Sequence, residues 1–118
     1  MPDVAAGPLA ELPPGERKIV PYKHRSIGVF NVDGQLFAVL NRCPHHHADV
    51  CRGRLGGRML DSAPHEYRYG DEGGRILACP WHHWEFDIAT GRSLLEPDRY
   101  RLRTYPVSVE RGEVIVHV

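Results

Sequence analysis

Hydrophobic residues fall in short runs along this chain, and polar or glycine-containing turns separate the runs. The clearest run is 84–88, Trp-Glu-Phe-Asp-Ile, in which apolar and polar residues alternate. Alternation with a period of two is typical of β-strands, and no stretch of useful length carries the roughly 3.6-residue period of an amphipathic helix. The pattern therefore predicts an all-β fold, a small antiparallel sandwich or barrel.

Turn signals between the runs predict how the strands pair. The Asp-Gly pair at 33–34 lies between two apolar runs, and its glycine accepts the positive φ that a two-residue hairpin turn needs. The Arg-Gly pair at 111–112 separates predicted strands over 102–109 and 114–118. Both pairs therefore predict tight turns between antiparallel strands.

A further hairpin is predicted at the end of the glycine-rich segment 52–75. The strand-like stretches 66–69 and 75–78 flank the sequence Gly-Asp-Glu-Gly-Gly at 70–74. Clustered glycines between two such stretches indicate a turn, so we expect 66–69 to pair with 75–78. The return strand would then deliver Cys79 at its end.

Residues 1–16 differ from the rest of the chain in composition. They are rich in proline, alanine and glycine, and they predict a loose N-terminal arm that ends in a turn. Residues 17–118 carry the strand pattern and form a single predicted domain. A chain of 118 residues buries about two-thirds of its unfolded surface in one modest core, which leaves no room for a second domain.

Charge and hydropathy exclude several classes of partner. Fifteen basic and fifteen acidic side chains cancel, so no global field attracts nucleic acid or an anionic membrane. The chain has neither a secretory pattern at its N-terminus nor an apolar run of about eighteen residues, so we expect a soluble, cytoplasmic protein. The odd count of three cysteines argues against a disulfide framework and favours reduced thiolates that act as ligands.

Two matched motifs carry the candidate chemistry, and each contains one cysteine and one histidine. The motifs are Cys43-Pro44-His45 and Cys79-Pro80-Trp81-His82. A structural zinc site usually joins like ligands locally, so a zinc-binding structural module is the less favoured alternative here. A two-iron cluster explains the mixture, because two facing loops then supply one thiolate and one imidazole each. Such a ligand set is that of a Rieske [2Fe-2S] centre.

The motifs and their surroundings resemble the Rieske ferredoxins and the Rieske domains of ring-hydroxylating oxygenases. The resemblance spans about residues 17–118. Besides the two motifs, the matching positions are Ala48, Cys51-Arg52-Gly53, Trp84-Glu85-Phe86-Asp87 and Thr90-Gly91. The resemblance implies one [2Fe-2S] cluster per chain, with Cys43 and Cys79 on one iron and the other iron bound by His45 and His82. It also implies antiparallel sheets with the two cluster-binding loops at one tip.

Two departures from the family concern the loops themselves. The interval between His45 and Cys79 holds 33 residues, which is longer than usual, and we assign the surplus to an enlarged hairpin. His47 and His83 stand where the family usually has glycine, and a positive φ there would cost about 1 kcal/mol or more. These two residues and His46 are alternative imidazoles, although they do not match the family motifs.

A third departure concerns the reduction potential. Rieske proteins of the cytochrome complexes resemble this chain but carry an extra cysteine in each loop, whereas position 81 is tryptophan here. They also place hydroxyl groups beyond the second histidine, where this chain has Trp84 and Phe86. Hydrogen bonds to the cluster sulfurs raise the potential, so their loss predicts a value towards the low end of the Rieske range of about −150 to +300 mV.

The resemblance implies an electron carrier that is not an enzyme by itself. We expect the chain to pass single electrons from an NAD(P)H-dependent flavin reductase to a terminal oxygenase. The alternative is the small Rieske-type subunit of a nitrite reductase or of another oxidoreductase complex. The chain shows no separate set of two histidines and one carboxylate for a mononuclear iron.

Simple structural explanations are preferred for the remaining unusual residues. Cys51 is expected to be a small buried hydrophobic residue and not a fifth ligand. Trp84 and Phe86 are expected to pack under the loops, with a docking surface for a redox partner as the alternative. A solvated face is the first explanation for the arginines at positions 92, 99, 101 and 103.

Overall fold

A computed structural model of the chain describes residues 3–42, 49–56, 59–60, 68–69, 75–79, 84–94 and 100–118. Within these ranges every regular element is a β-strand or a single 3₁₀ turn. The strands are, in chain order, β1 (Asp3–Pro8), β2 (Arg17–Tyr22), β3 (Arg25–Val32), β4 (Gln35–Leu40), β5 (Arg54–Gly56), β6 (Met59–Leu60), β7 (Arg68–Tyr69), β8 (Ile76–Ala78), β9 (Glu85–Asp87), β10 (Thr104–Tyr105), β11 (Val107–Glu110) and β12 (Glu113–His117). The 3₁₀ turns are Leu9–Glu11 and Val50–Arg52.

The described strands pair in antiparallel fashion throughout. A four-stranded sheet has the order β10-β4-β3-β2, and a three-stranded sheet near the termini has the order β1-β12-β11. A second three-stranded sheet, β5-β8-β9, carries the second predicted ligand loop, and β6 pairs with β7. The predicted all-β antiparallel fold is therefore confirmed.

Strand β3 is buried on both faces, because its two faces contribute side chains to two different apolar cores. Ile27 and Val29 belong to a core that also contains Val116 of the terminal sheet. Phe30 belongs to a second core, together with Phe86 of the β5-β8-β9 sheet. Burial on both faces explains why β3 reads as a nearly continuous apolar run instead of a strict alternation.

The two tight turns predicted from the sequence are confirmed. Asp33 and Gly34 join β3 to β4 and have φ values of 51° and 92°. Arg111 and Gly112 join β11 to β12 and have φ values of 53° and 77°. Positive φ at both central residues is the geometry of a type I′ turn, which matches the right-handed twist of the strands that it joins.

The prediction of a loose arm over residues 1–16 is wrong for most of that segment. Asp3–Pro8 forms β1 and pairs with β12, at the other end of the chain. Ala6 and Leu12 are buried, and the side-chain amide of Asn31 donates to the Leu12 carbonyl oxygen at 2.8 Å. The segment is ordered because it covers the free edge of β12 and adds apolar surface to the core, which local composition does not reveal.

The predicted pairing of 66–69 with 75–78 is also wrong. β7 pairs with β6, whereas β8 pairs with β5 on one side and β9 on the other. The two ladders are nested, because β5 and β6 run outwards and β7 and β8 run back. The excursion is therefore an enlarged hairpin, as expected, but the glycines at 70–74 lie between two strands of its returning side. The prediction relied on glycine content alone and therefore placed the turn of the hairpin between β7 and β8, whereas the chain reverses earlier, between β6 and β7.

The predicted strand over 102–109 is divided between two sheets. Its first part, β10, pairs with β4, and its second part, β11, pairs with β12. Pro106 stands between them and has no N–H to donate to a ladder, so the chain passes from one sheet to the other at this residue. The Pro106 carbonyl oxygen still accepts a bond from the His117 N–H at 2.9 Å, which keeps the crossing tied to β12.

Candidate metal centre

The second ligand loop leaves β8 and returns in β9. The Cys79 N–H donates to the Trp84 carbonyl oxygen at 2.7 Å, next to the ladder pair Ala78↔Glu85. This bond closes the base of the loop, so residues 80–83 connect two positions that are held side by side. Cys79 is fully buried at this base. A thiolate ligand at this position would be shielded from water.

One asparagine closes the base of the first ligand loop. Asn41 follows β4 directly, and its backbone N–H donates to the Ser26 carbonyl oxygen at 2.9 Å. Its Oδ1 accepts from the Cys51 N–H at 2.8 Å, and its Nδ2 donates to the Ser26 hydroxyl at 3.0 Å. Both polar atoms of the side chain are paired, and the chain positions on either side of residues 43–48 are tied together.

An arginine from β2 fixes the segment that follows the first loop. The Arg17 guanidinium donates to the carbonyl oxygens of Cys51 and Gly53, at 2.8 and 2.5 Å. Its Cζ lies 5.3 Å from the centroid of the Phe30 ring, which gives the cation a second, aromatic contact. Residues 51–53 are thus hydrogen-bonded to the four-stranded sheet through a half-buried guanidinium. Hydrogen bonds from a charged donor are stronger than those between neutral groups.

Two glycines let the base of the first loop pack without a gap. A Cβ on Gly53 would overlap the carbonyl oxygen of Ala78, the residue before Cys79. A Cβ on Gly28 would overlap the side chain of Cys51. These close approaches exist only because both positions lack a side chain. The Gly53 contact sets the bases of the two predicted ligand loops against each other.

Trp84 and Phe86 pack in and against the core that contains Cys79, at the base of the second predicted ligand loop, which favours the structural interpretation. Phe86 is fully buried in the core that also contains Cys79, and Trp84 packs against this core. The Trp84 ring meets Tyr100 edge-on, with ring centroids 4.8 Å apart and an interplanar angle of 77°. Phe86 leaves no surface for a docking partner, and the two aromatic residues exclude water from below Cys79.

Cys51 is a core residue, which confirms the prediction. Its side chain is fully buried, and the thiol donates towards the Val39 carbonyl oxygen at 3.9 Å. Burial raises the pKa of the Cys51 thiol from 9.0 to about 12, because a thiolate would lose its hydration. A backbone hydrogen bond at Gly28 and the charge of Arg17 oppose the shift only in part. The thiol is therefore neutral at ordinary pH.

Cys79 is the predicted ligand that falls within the described residues. The ligands Cys43, His45 and His82 and the alternatives His46, His47 and His83 lie outside them. Within the described ranges no group of three or more histidine, cysteine, aspartate or glutamate side chains forms a metal site. A buried thiol at one loop base, set against the base of the other loop, fits a cluster held between the two loops. The complete ligand set stays a prediction.

Asn41 and Arg17 are supporting residues that sequence reasoning missed. A polar residue two positions before the first cysteine, at the end of a predicted strand, is a local signal that points to Asn41. No local signal identifies Arg17, because it lies 34 residues before its first partner, Cys51. The arginines at 92, 101 and 103 are exposed, as predicted for a solvated face, and position 99 lies outside the described residues.

Comparison with known proteins gives a consistent result. The family model described as the Rieske [2Fe-2S] domain matches residues 3–106. The 3-phenylpropionate/cinnamic acid dioxygenase ferredoxin subunit of Photorhabdus laumondii is 33% identical over 110 residues, which cover 93% of this chain and 89% of the relative. The structure of a Sphingomonas yanoikuyae B1 ferredoxin superposes with a TM-score of 0.72 at 30% identity and covers 99% of both chains.

A further solved structure is similar to this chain but belongs to a different kind of system. It is a putative NADH-dependent nitrite reductase small subunit from Mycobacterium tuberculosis, with a TM-score of 0.74 and 26% identity. The superposition covers 99% of this chain and 96% of that one. In the part of the chain that the structure describes, no helix has the length and apolar character needed to cross a membrane.

Proposed function

Because this chain belongs to the Rieske [2Fe-2S] domain family, we propose that it is a one-electron carrier for a ring-hydroxylating dioxygenase system. The observation that carries the proposal is the match to a dioxygenase ferredoxin subunit over 93% of this chain and 89% of the relative. In the proposed reaction sequence an NAD(P)H-dependent flavin reductase supplies the electrons. A terminal oxygenase receives them and carries out the chemistry on the substrate.

Four residues hold the cluster in this proposal. Cys43 and Cys79 bind one iron, and His45 and His82 bind the other. When bound, the cluster takes up and releases one electron at a time, and no bond of a substrate is made or broken on this chain. The chain supplies the thiolates and imidazoles and holds the loops that carry them.

The supporting residues fix the bases of the two loops. Asn41 closes the first loop at its base, and Arg17 bonds the segment that follows it to the four-stranded sheet. The contact between Gly53 and Ala78 sets the two loop bases against each other. Ligands that are locked by surrounding hydrogen bonds and packing keep their geometry when the charge of the site changes.

A low reduction potential is part of the proposal. Trp84 and Phe86 stand beyond the second predicted histidine ligand, and neither side chain carries a hydroxyl group. Phe86 lies in the core next to Cys79 and contributes an apolar environment, which disfavours the more negative, reduced state of a cluster. A potential towards the low end of the Rieske range suits a carrier that is reduced by a flavin enzyme.

A reductive titration followed by EPR tests the proposed function most directly. We expect iron and acid-labile sulfide in the ratio of one [2Fe-2S] cluster per chain. The reduced protein should give the EPR spectrum of a cluster with mixed cysteine and histidine ligands, at a low midpoint potential. A colourless protein that contains zinc would instead support the structural zinc module and would end the proposal.

The small subunit of a nitrite reductase is the second candidate. The TM-score of 0.74 to a putative subunit of that kind favours it, because the structural similarity is as high as to the ferredoxin. Reconstitution separates the two candidates. Transfer of electrons from NAD(P)H through a flavin reductase to a terminal oxygenase would support the first, and stimulation of nitrite reduction the second. The cytoplasmic location stays a prediction from the sequence.

A further inference from the structure

A basic cleft lies beside the base of the first ligand loop. Three cations line it: Lys23 in the turn between β2 and β3, Arg25 at the start of β3, and Arg103 just before β10. All three side chains are exposed, and the cleft has a volume of about 190 Å³. Three positive charges thus converge on one hollow in a chain whose formal net charge is zero.

Two tyrosines form an aromatic floor that contacts two of the three cations. The rings of Tyr22 and Tyr105 meet edge-on, with centroids 6.4 Å apart. Lys23 Nζ lies 5.3 Å from the Tyr22 ring, and Arg103 Cζ lies 5.7 Å from the Tyr105 ring. Burial raises the pKa of the Tyr105 hydroxyl, so this group stays neutral and leaves the positive charge of the cleft intact. Tyrosine and arginine are also the residues most enriched at the energetic centres of protein interfaces.

The cations of the cleft differ from other basic residues of the described surface. Lys18 and Arg52 each form a salt bridge: Lys18 Nζ lies 3.7 Å from Glu11 Oε2, and Arg52 Nε lies 3.7 Å from Asp49 Oδ2. Among the described residues, no carboxylate forms a salt bridge with Lys23, Arg25 or Arg103. Their charge is therefore available to a group outside the chain.

The cleft continues to the residues that flank the first predicted ligand loop. A second hollow of about 400 Å³ shares His24 and Arg25 with the first. It extends along Asn41, Arg42 and Asp49, the residues on either side of the first ligand loop. A molecule that lies in the two hollows therefore contacts residues on both sides of the first predicted ligand loop.

We propose that this basic cleft is the docking surface for a redox protein partner whose own docking face carries aspartate and glutamate side chains. The inference rests on the proposed function, because it assigns one surface of the proposed carrier. Exposed cations beside an electron exit raise the encounter rate with an anionic surface by about ten- to a thousandfold, and salt weakens the attraction. The tyrosine floor supplies the apolar contact area that charge alone does not provide.

Calorimetry with poly-L-glutamate tests the cleft without any use of the cluster. We expect the holoprotein to bind this probe, and binding should weaken as salt is raised from about 50 to about 500 mM. The double variant R25E/R103E should bind at least about tenfold more weakly. R111E is the control for a charge reversal outside the cleft, because Arg111 is exposed in the turn at the end of β11 that lies away from Tyr105. Equal loss of binding in the cleft variant and in R111E would overturn the proposal.

Stopped-flow oxidation of the reduced holoprotein tests whether the cleft serves electron transfer. Ferricyanide is an anionic oxidant and hexaammineruthenium(III) a cationic one. In R25E/R103E we expect oxidation by ferricyanide to slow by about tenfold and oxidation by hexaammineruthenium to accelerate. R111E should change either rate by less than about twofold. R25E/R103E changes the net charge by −4 and R111E changes it by −2. Rate changes that simply follow total charge, with a logarithmic change in R111E about half of that in R25E/R103E, would overturn the proposal.

Two further measurements keep the outcomes distinct. An unchanged EPR spectrum and midpoint potential in R25E/R103E show that the cleft acts on docking and not on the cluster. Where the glutamate variant does not fold, R25Q/R103Q removes the charges with less disturbance and should give the same changes at about half the size. A wild-type protein without a cluster would refute the proposed function, while the calorimetry would still test the cleft. Equally tight binding to phosphatidylserine vesicles, lost in the cleft variant, would overturn the choice of a protein partner.

Discussion

The scaffold and the site of this protein are held together by different means. In the four-stranded sheet, β3 pairs with β2 and with β4 over six residue pairs each. In the sheet that carries the second ligand loop, β8 pairs with β5 and with β9 over only three each. The site therefore depends on single side chains and close backbone contacts, whereas the scaffold spreads its stability over long ladders and two apolar cores.

Two asparagines show the difference on a small scale. Asn31 and Asn41 are both buried, with 4% and 8% of their surface exposed. Asn31 donates to the Leu12 carbonyl oxygen and accepts from the Gly34 N–H, and so fixes a turn of the scaffold. Asn41 makes equivalent bonds around the first ligand loop. Replacing either asparagine should lower the stability of the protein, but only replacement of Asn41 should alter the predicted metal centre.

The largest effect is expected from the ligand histidines. Replacing His45 or His82 by alanine leaves one iron with a single imidazole, so the native mixed-ligand cluster should not assemble. Metal analysis and the EPR spectrum of the reduced protein measure this loss. The far-UV circular dichroism should keep its strand signal, because the scaffold does not depend on the loops.

The neighbouring histidines are the matched controls for this prediction. H46A, H47A and H83A should retain the cluster and its EPR spectrum. If H45A or H82A instead gives the wild-type spectrum, the ligand is one of these neighbours and the register of the motif shifts.

The next largest effect is expected at Gly53. The substitution Gly53→Ala forces a methyl group into the Ala78 carbonyl, and the rigid backbone on both sides leaves no room to relax. We expect the free energy of unfolding to fall by about 3 kcal/mol or more, together with loss of cluster incorporation. Urea unfolding and iron content measure the two effects.

Gly34→Ala is the scaffold counterpart. A methyl group there meets no atom within 4 Å, so the cost is that of a positive φ of 92° for a residue with a side chain. We expect a loss of about 1 kcal/mol and a full complement of iron. Equal losses of stability and iron in the two variants would contradict the distinction between scaffold and site.

A smaller effect, but a sharper comparison, is expected from the two asparagines. Asn41→Ala leaves the buried Cys51 N–H without its partner, which costs about 1–3 kcal/mol. Asn31→Ala should lower the free energy of unfolding by a similar amount, because the Leu12 carbonyl oxygen and the Gly34 N–H lose their partner. The EPR lines should broaden in N41A alone, because only its bonds hold a ligand loop.

Asn41→Asp separates the bond from the general stability of the protein. The aspartate keeps an oxygen for the Cys51 N–H and can accept from the Ser26 hydroxyl, so it should restore the sharp EPR spectrum. A spectrum of N41A as sharp as that of N31A would show that Asn41 does not position the loop.

The elements that could be predicted from the sequence are those with a local cause. The turns at 33–34 and 111–112 depend on glycine and its neighbour, and the resemblance to the Rieske family depends on residue types a few positions apart in two motifs. Each was predicted because the physical requirement and the residues that meet it lie in one short stretch.

The elements that were missed depend on partners far along the chain. Asp3–Pro8 forms a strand because it pairs with the free edge of β12. In the enlarged hairpin β8 pairs with β5 and not with the nearer β7, which pairs with β6. Arg17 acts on backbone carbonyls and not on a recognisable motif. Neither alternation nor turn chemistry contains this information, because it arises when the sheets pack.

The smallest effect is expected from the titration of Cys51, which lies where scaffold and site meet. Below about pH 9 the thiol is protonated in both the folded and the unfolded chain, so it does not make the free energy of unfolding depend on pH. Between pH 9 and about 12 the unfolded chain releases the proton and the folded chain does not. The free energy of unfolding should therefore fall with rising pH, by about 1.4 kcal/mol per pH unit in this window.

The variant C51A removes this dependence and should be less stable than wild type at pH 7 because of the small cavity it leaves. At pH 10 the difference in the free energy of unfolding between wild type and C51A should be smaller by about 1.4 kcal/mol, because pH 10 lies one unit above the ordinary pKa of the thiol. Urea unfolding of both proteins at pH 7, 8, 9 and 10 provides the measurement, and the titration of all other groups cancels in the comparison. Parallel curves would mean that the Cys51 thiol is hydrated in the folded chain, and the close contact with Gly28 would then not isolate the loop base from water.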